Sequence, residues 1–112
     1  MRIYLLRDRA TPEQMAEMLE ELHSYIKLAV DVERGIVAGG GEWHYDCERV
    51  LLADGSRQED IWGADWYPKE KKVEFEALIN VRPRQNNRTM LIQDANLRMQ
   101  IERIVRFIFE ET

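Results

Sequence analysis

The sequence predicts a single α+β domain over residues 1–112, a mostly antiparallel sheet of about five strands with helices packed on one face. Three observations carry that expectation. Two long stretches space their apolar residues as a helix does, several others alternate apolar and polar residues with the period of a strand, and no linker, repeat or composition shift divides the chain. In chain order the elements read β-α-β-β-α-β-β-α.

Ile3 to Leu6 is apolar and β-compatible and ends at Arg7-Asp8-Arg9, which marks a first strand. Thr11-Pro12-Glu13-Gln14 combines a capping hydroxyl, a proline at the first helical position and a Gln three residues after the cap, so a helix starts there. Met15, Met18, Leu19, Leu22 and Ile26 continue it on one face, with His23 on the flank in a structural role. Leu28, Val30 and Val32 then alternate with Lys27, Ala29 and Asp31 as a strand, Glu33-Arg34-Gly35 turns the chain, and Ile36 to Ala38 pairs back.

Asp46 is placed to cap a short helix through Val50, Leu51 and Leu52 that stops at Gly55. Glu59 to Tyr67 reads as a fourth strand, stopped by Pro68. The clearest alternation runs from Val73 through Phe75, Ala77 and Ile79 to Val81, which predicts a long fifth strand with Asn80 and Arg82 together on its other face. Beyond the polar loop 84–88, Asp94 caps a final helix with Leu97, Ile101, Ile104, Val105 and Ile108 on its apolar stripe and Phe107 and Phe109 off it.

Composition narrows the function classes. At 112 residues, 45% hydrophobic and 33% charged, the chain is long enough to bury roughly two-thirds of its unfolded surface around one core. Cys47 is the only cysteine, which excludes an internal disulfide and a multi-cysteine zinc site and fits a reducing, cytoplasmic setting. The apolar run at the N-terminus is too short for a signal-peptide core or a membrane span, so no membrane partner is expected. A net charge of −5 argues against binding a nucleic-acid backbone. Between Arg82 and Arg106, however, six Arg stand against Asp94 and Glu102, a local balance of +4 suited to an anionic partner.

The densest polar constellation is Gly39-Gly40-Gly41-Glu42-Trp43-His44-Tyr45-Asp46. In an extended segment Glu42, His44 and Asp46 share a side. One reading makes His44 a general acid or base with Glu42 as its partner. A second has the three side chains hold a divalent metal, against which His-x-Asp alone is a weak signature; no metal site is expected. A third leaves Asp46 as a helix cap and His44 as an ordinary hydrogen-bonded histidine. Asn80, Arg82 and Arg88 group amide and guanidinium donors suited to a carboxylate or phosphate, or alternatively form a charged solvent face. Gln58, after Gly55-Ser56, joins them as a candidate ligand-binding residue, and Gly63 within a strand marks a bulge or close backbone approach.

The segments Val30-Asp31-Val32-Glu33-Arg34-Gly35, Gly40-Gly41-Glu42 with His44 and Asp46, Gly55-Ser56 with Gln58 and Trp62-Gly63, and Phe75 with Ile79-Asn80-Val81-Arg82-Pro83 and Asn87-Arg88 resemble, in that order, a small prokaryotic family with a domain of unknown function. The resemblance implies one small domain and carries over no activity, cofactor or catalytic residue.

The leading expectation is a small cytoplasmic enzyme or ligand-binding domain acting on an anionic polar molecule, with His44 as acid–base group, Glu42 as its partner, and Asn80, Arg82 and Arg88 as anion donors. The alternative is a non-catalytic homodimeric module joined through Trp66, Phe107 and Phe109. RNA binding through the loop from Arg82 to Arg88 stands third, disfavoured by the overall acidity. The leading expectation requires that His44, within hydrogen-bond reach of Glu42, and Arg82 look into the same hollow, and it fails if they lie on opposite faces of the fold.

Overall fold

The computed structural model describes residues 2–110. Met1, Glu111 and Thr112 lie outside the described residues. Five strands, β1 (Tyr4–Leu6), β2 (Ile26–Asp31), β3 (Ile36–Gly39), β4 (Ile61–Tyr67) and β5 (Lys72–Glu74), form one antiparallel sheet in the order β1-β3-β2-β4-β5. With the helices α1 (Pro12–Met18), α2 (His44–Ala53) and α3 (Ala95–Phe109) this is the expected α+β class.

The helices cover both faces of the sheet, which corrects the one-face layer. Leu28 and Val30 of β2 and Trp62, Ala64 and Trp66 of β4 point to the side of Met18 in α1 and of Ile101, Val105, Ile108 and Phe109 in α3. The alternate positions, Ala29, Ile36, Ala38 and Ile61, meet Cys47 and Leu51 of α2. Small side chains at Ala29 and Ala38 let α2 approach closely, and in the sequence such residues pass for the polar half of a strand's alternation. Asp31 shares that second face. It is fully buried, and its Oδ1 accepts the backbone N–H of Glu33 at 3.0 Å and of Arg34 at 2.9 Å, which fixes the turn into β3.

Local signals fixed most helix starts. The Thr11 hydroxyl accepts from the Gln14 amide at 3.1 Å and the Gln14 side chain accepts from the Thr11 amide at 2.9 Å. Asp94 accepts from the amides of Asn96 and Leu97. α1 nevertheless ends at Met18, short of the expected Ile26. Ile26 instead alternates with Leu28 and Val30 in β2, so two periods had been read as one. α2 begins at His44, capped by Trp43 three residues before the expected cap, so that both His44 and Asp46 lie in its first turn.

The longest strand signal is the one the fold breaks. β5 stops at Glu74, and the chain from Ala77 folds across β4 into a 3-10 turn at Leu78–Asn80. Gly63 permits the crossing, because a Cβ there would stand 2.5 Å from the Ala77 Cβ. Asn80 is fully buried rather than exposed beside Arg82. Its Oδ1 accepts the Gly63 N–H at 2.7 Å and its Nδ2 donates to the Gly63 carbonyl at 3.0 Å, so one side-chain amide takes the place of a neighbouring strand.

Trp66 and Phe109 stack inside the core at 6.4 Å between ring centroids, and of the expected contact patch only Phe107 is exposed. The glycine run serves packing as well. Gly40 has φ +102°, and a Cβ there would lie 2.5 Å from the Arg2 carbonyl oxygen and against Met18. Beneath α2, burial pushes the Cys47 thiol up to about 12. We therefore expect a thiol-specific chromogenic reagent to leave Cys47 unmodified in the folded protein at neutral pH and to react fully only in denaturant; rapid native labelling would contradict this.

Candidate functional site

His44 is brought to the sheet by the first turn of α2 and meets Asp65, the one charged residue among the apolar positions of β4. Its Nε2 lies 2.7 Å from Asp65 Oδ1, with side chains 12% and 10% exposed, so bulk water screens the pair poorly. The carboxylate partner of His44 is thus Asp65 and not Glu42. Helical geometry from residue 44 onward removes the shared face expected for Glu42, His44 and Asp46. Glu42 is exposed, and its backbone carbonyl accepts a hydrogen bond from Lys27 Nζ at 3.1 Å.

Aromatic groups surround the dyad. Tyr25 and Tyr67 stack face to face with centroids 4.9 Å apart. Burial first, then the charge of Asp65, raises the Tyr25 phenol above its ordinary value. Burial and then the hydrogen bond to Glu74 raise that of Tyr67, so both remain neutral. Trp43 and Tyr45 flank His44 and are 60% and 55% exposed, with Lys27 Nζ 4.9 Å from the Trp43 ring centroid. Together with Leu78 and Ile79 from the turn after β5 they line a groove of about 410 Å³ whose wall is almost wholly apolar apart from His44.

A larger hollow of about 680 Å³ adjoins it, sharing Tyr45, Leu78 and Ile79 and continuing to Glu48, Gln58, Arg82 and Arg84. His44 and Glu48 are one helical turn apart on α2. The imidazole and the Arg82 guanidinium therefore lie on the same side of the molecule but in adjoining hollows, not in the single hollow the leading expectation required.

Arg82 is nevertheless fully engaged by the protein. Nε donates to the Ile79 carbonyl at 3.0 Å, one terminal nitrogen to the Gln58 carbonyl at 2.7 Å and the Gln85 side chain at 3.3 Å, and the other to the Ile61 carbonyl and to Glu48 Oε2. The Arg82 and Glu48 side chains are only 10% and 7% exposed. Burial lowers the guanidinium below its ordinary value, and burial raises the Glu48 carboxyl while Arg82 and the Gln58 side chain pull it back. Asn80 has no atom left for a ligand either, since Nδ2 also reaches the carbonyls of Phe75 and Met90. Gln58 is exposed at the rim of the larger hollow, whereas Arg88 is exposed on the loop and lines neither hollow.

Sequence reasoning missed Asp65, although a lone acid inside Ile61-Trp62-Gly63-Ala64-Asp65-Trp66-Tyr67 was itself the signal. It also missed Arg84, whose exposed guanidinium lines the larger hollow. Among the described residues no cluster of three or more His, Cys, Asp or Glu is placed to hold a metal ion. No helix there is long and apolar enough to cross a membrane.

Fold and site together define a small α+β domain in which a histidine paired with a buried aspartate lines an apolar groove. The family model described as "Protein of unknown function (DUF5674)" matches residues 4–108, and the chain belongs to that family. No curated protein and no solved structure matches it.

Proposed function

We propose that this domain is a cytoplasmic ligand-binding protein or small enzyme that takes a small amphipathic anion, with His44 exchanging a proton with it. The observation that carries the reading is the 2.7 Å contact to Asp65 made by His44, which lines an otherwise apolar groove. A concave apolar wall with one convergent ionisable group is the usual form of a small-molecule site. The Asp65 carboxylate holds the proton on Nε2, which leaves Nδ1 with the lone pair that accepts a proton from the ligand. The apolar body of the ligand lies against Trp43, Tyr45 and Leu78, and its anionic end reaches Arg84 at the neighbouring hollow. Arg82 and Asn80 shape the wall from behind.

Trp43 reports on the groove, because Trp62 and Trp66 are buried. Aromatic carboxylates screened by fluorescence are expected to change the Trp43 emission saturably, and Trp43→Phe is expected to lose the response. His44→Gln should weaken those that also carry a hydroxyl by several-fold to about tenfold, through loss of the hydrogen bond the hydroxyl donates to Nδ1. Asp65→Asn should shift the pH dependence of binding. Carboxylates that bind without perturbing Trp43, or hydroxyl-bearing ones that bind equally well to a folded His44→Gln variant, contradict the reading.

A second reading is a homodimer joined through the same surface, favoured by the exposure of Leu78 at 75% beside Trp43 and Tyr45. A monomeric mass by light scattering at high protein concentration removes it.

A further inference from the structure

Beyond the 3-10 turn at Pro83–Gln85, a hollow of about 350 Å³ that shares Gln85 with the larger one opens between the loop and the first turns of α3. Its polar lining is made of side-chain amides with one acid, Asp94, and contains no Lys or Arg. Gln85 and Asn87 are engaged internally. Gln85 Nε2 donates to the Glu59 carbonyl, and buried Asn87 donates to the carbonyls of Asn80, Thr89 and Leu91 while accepting from the Gln93 amide. Asn86, Asn96 and Gln100 stand differently: all three are exposed at the rim, and no described residue hydrogen-bonds their side chains.

Each free carboxamide offers an acceptor oxygen and two donor hydrogens within one plane. An anion finds no Lys or Arg in this lining and meets Asp94, whose carboxylate already accepts the amides of Asn96 and Leu97 as the cap of α3. Vicinal hydroxyls, each both donor and acceptor, match such a rim, with Leu97 and Trp62 in the lining for their C–H groups. Trp62 is only 4% exposed, so it offers no face on which a planar base could stack. The geometry points to a second binding site, independent of the His44 groove, for a neutral polyhydroxylated molecule such as a monosaccharide. Being shallow and open, it binds weakly.

The test is a titration of the ¹⁵N-labelled protein with glucose and, separately, ribose, following the side-chain amide signals. The expected result is saturable shifts confined to Asn86, Asn96 and Gln100, absent with inorganic phosphate, and an affinity reduced about tenfold or more in Asn96→Ala/Gln100→Ala through loss of two neutral hydrogen bonds. Linear, non-saturating shifts with both sugars, the same shifts with phosphate, or undiminished binding to the folded double variant overturn the proposal. Should the double variant not fold, the location and saturation of the wild-type shifts decide alone. Neither outcome depends on the His44 groove, whose probe is Trp43.

Discussion

Replacing Asn80 by Ala is expected to lower the unfolding free energy by about 3 to 5 kcal/mol, read from urea or guanidinium midpoints. The carboxamide makes four hydrogen bonds from a fully buried position, two of them to the N–H and carbonyl of Gly63. Removing it strips the Gly63 N–H and carbonyl of their Asn80 partner in a site water does not reach, while the carbonyls of Phe75 and Met90 keep only the backbone N–H groups of Ile92 and Ala77. The loss is a large part of a stability of roughly 5 to 15 kcal/mol. Asn80→Asp is expected to do no better, although its shape is nearly unchanged. A carboxylate keeps the acceptor for Gly63 N–H but turns an oxygen toward three carbonyls where Nδ2 had donated. An Asn80→Asp protein as stable as the parent at neutral pH would show that shape rather than donation matters.

Arg82→Met is expected to cost about 3 to 5 kcal/mol, because it strands a buried carboxylate and removes the guanidinium's hydrogen bonds to the carbonyls of Gln58, Ile61 and Ile79 at once. The double variant Arg82→Met/Glu48→Leu should recover part of that loss, since no unpaired charge then remains. The pH dependence has a definite sign. Burial holds the Glu48 carboxyl above its ordinary value, so between that value and the raised one the folded protein binds more protons than the unfolded chain. Stability therefore falls as pH rises through that window. Arg82 is the group that pulls the carboxyl back down, so its removal carries the window to higher pH and steepens the fall. Denaturation midpoints across the acid-to-neutral range should show the Arg82→Met deficit smallest where Glu48 is protonated. A deficit independent of pH would mean that the ion pair contributes nothing beyond its neutral hydrogen bonds.

These two residues also mark where the sequence was legible and where it was not. Caps could be read directly, because Thr11 with Gln14 and Asp94 with the next amides are contacts within three or four positions. The hairpin between β2 and β3 and the apolar stripe of α3 are likewise local patterns. Non-local packing hid the rest. Val73 to Val81 alternates as well as any strand, yet Gly63 across the sheet lets the chain fold over β4, and nothing near Asn80 announces that its partner lies seventeen positions upstream. The second helical layer was concealed by Ala29 and Ala38, whose small size is what admits α2. At the site, His44 and Arg82 were expected in one hollow and line two adjoining ones, and the carboxylate of His44 was sought two residues away instead of on β4.

The way the chain leaves β5 has a consequence for crowded solution. A sheet whose outermost strand ends early exposes the peptide groups of the strand behind it, and such a row invites another polypeptide to add on and propagate a fibre. Here the carboxamide of Asn80 plugs the first vacated place at Gly63, the crossing turn roofs it, and what is left of the border is three residues, Lys72 to Glu74, two of them charged. That end of the molecule is closed to templated growth, so a variant that loses the plug should begin to form thioflavin-positive aggregate from there.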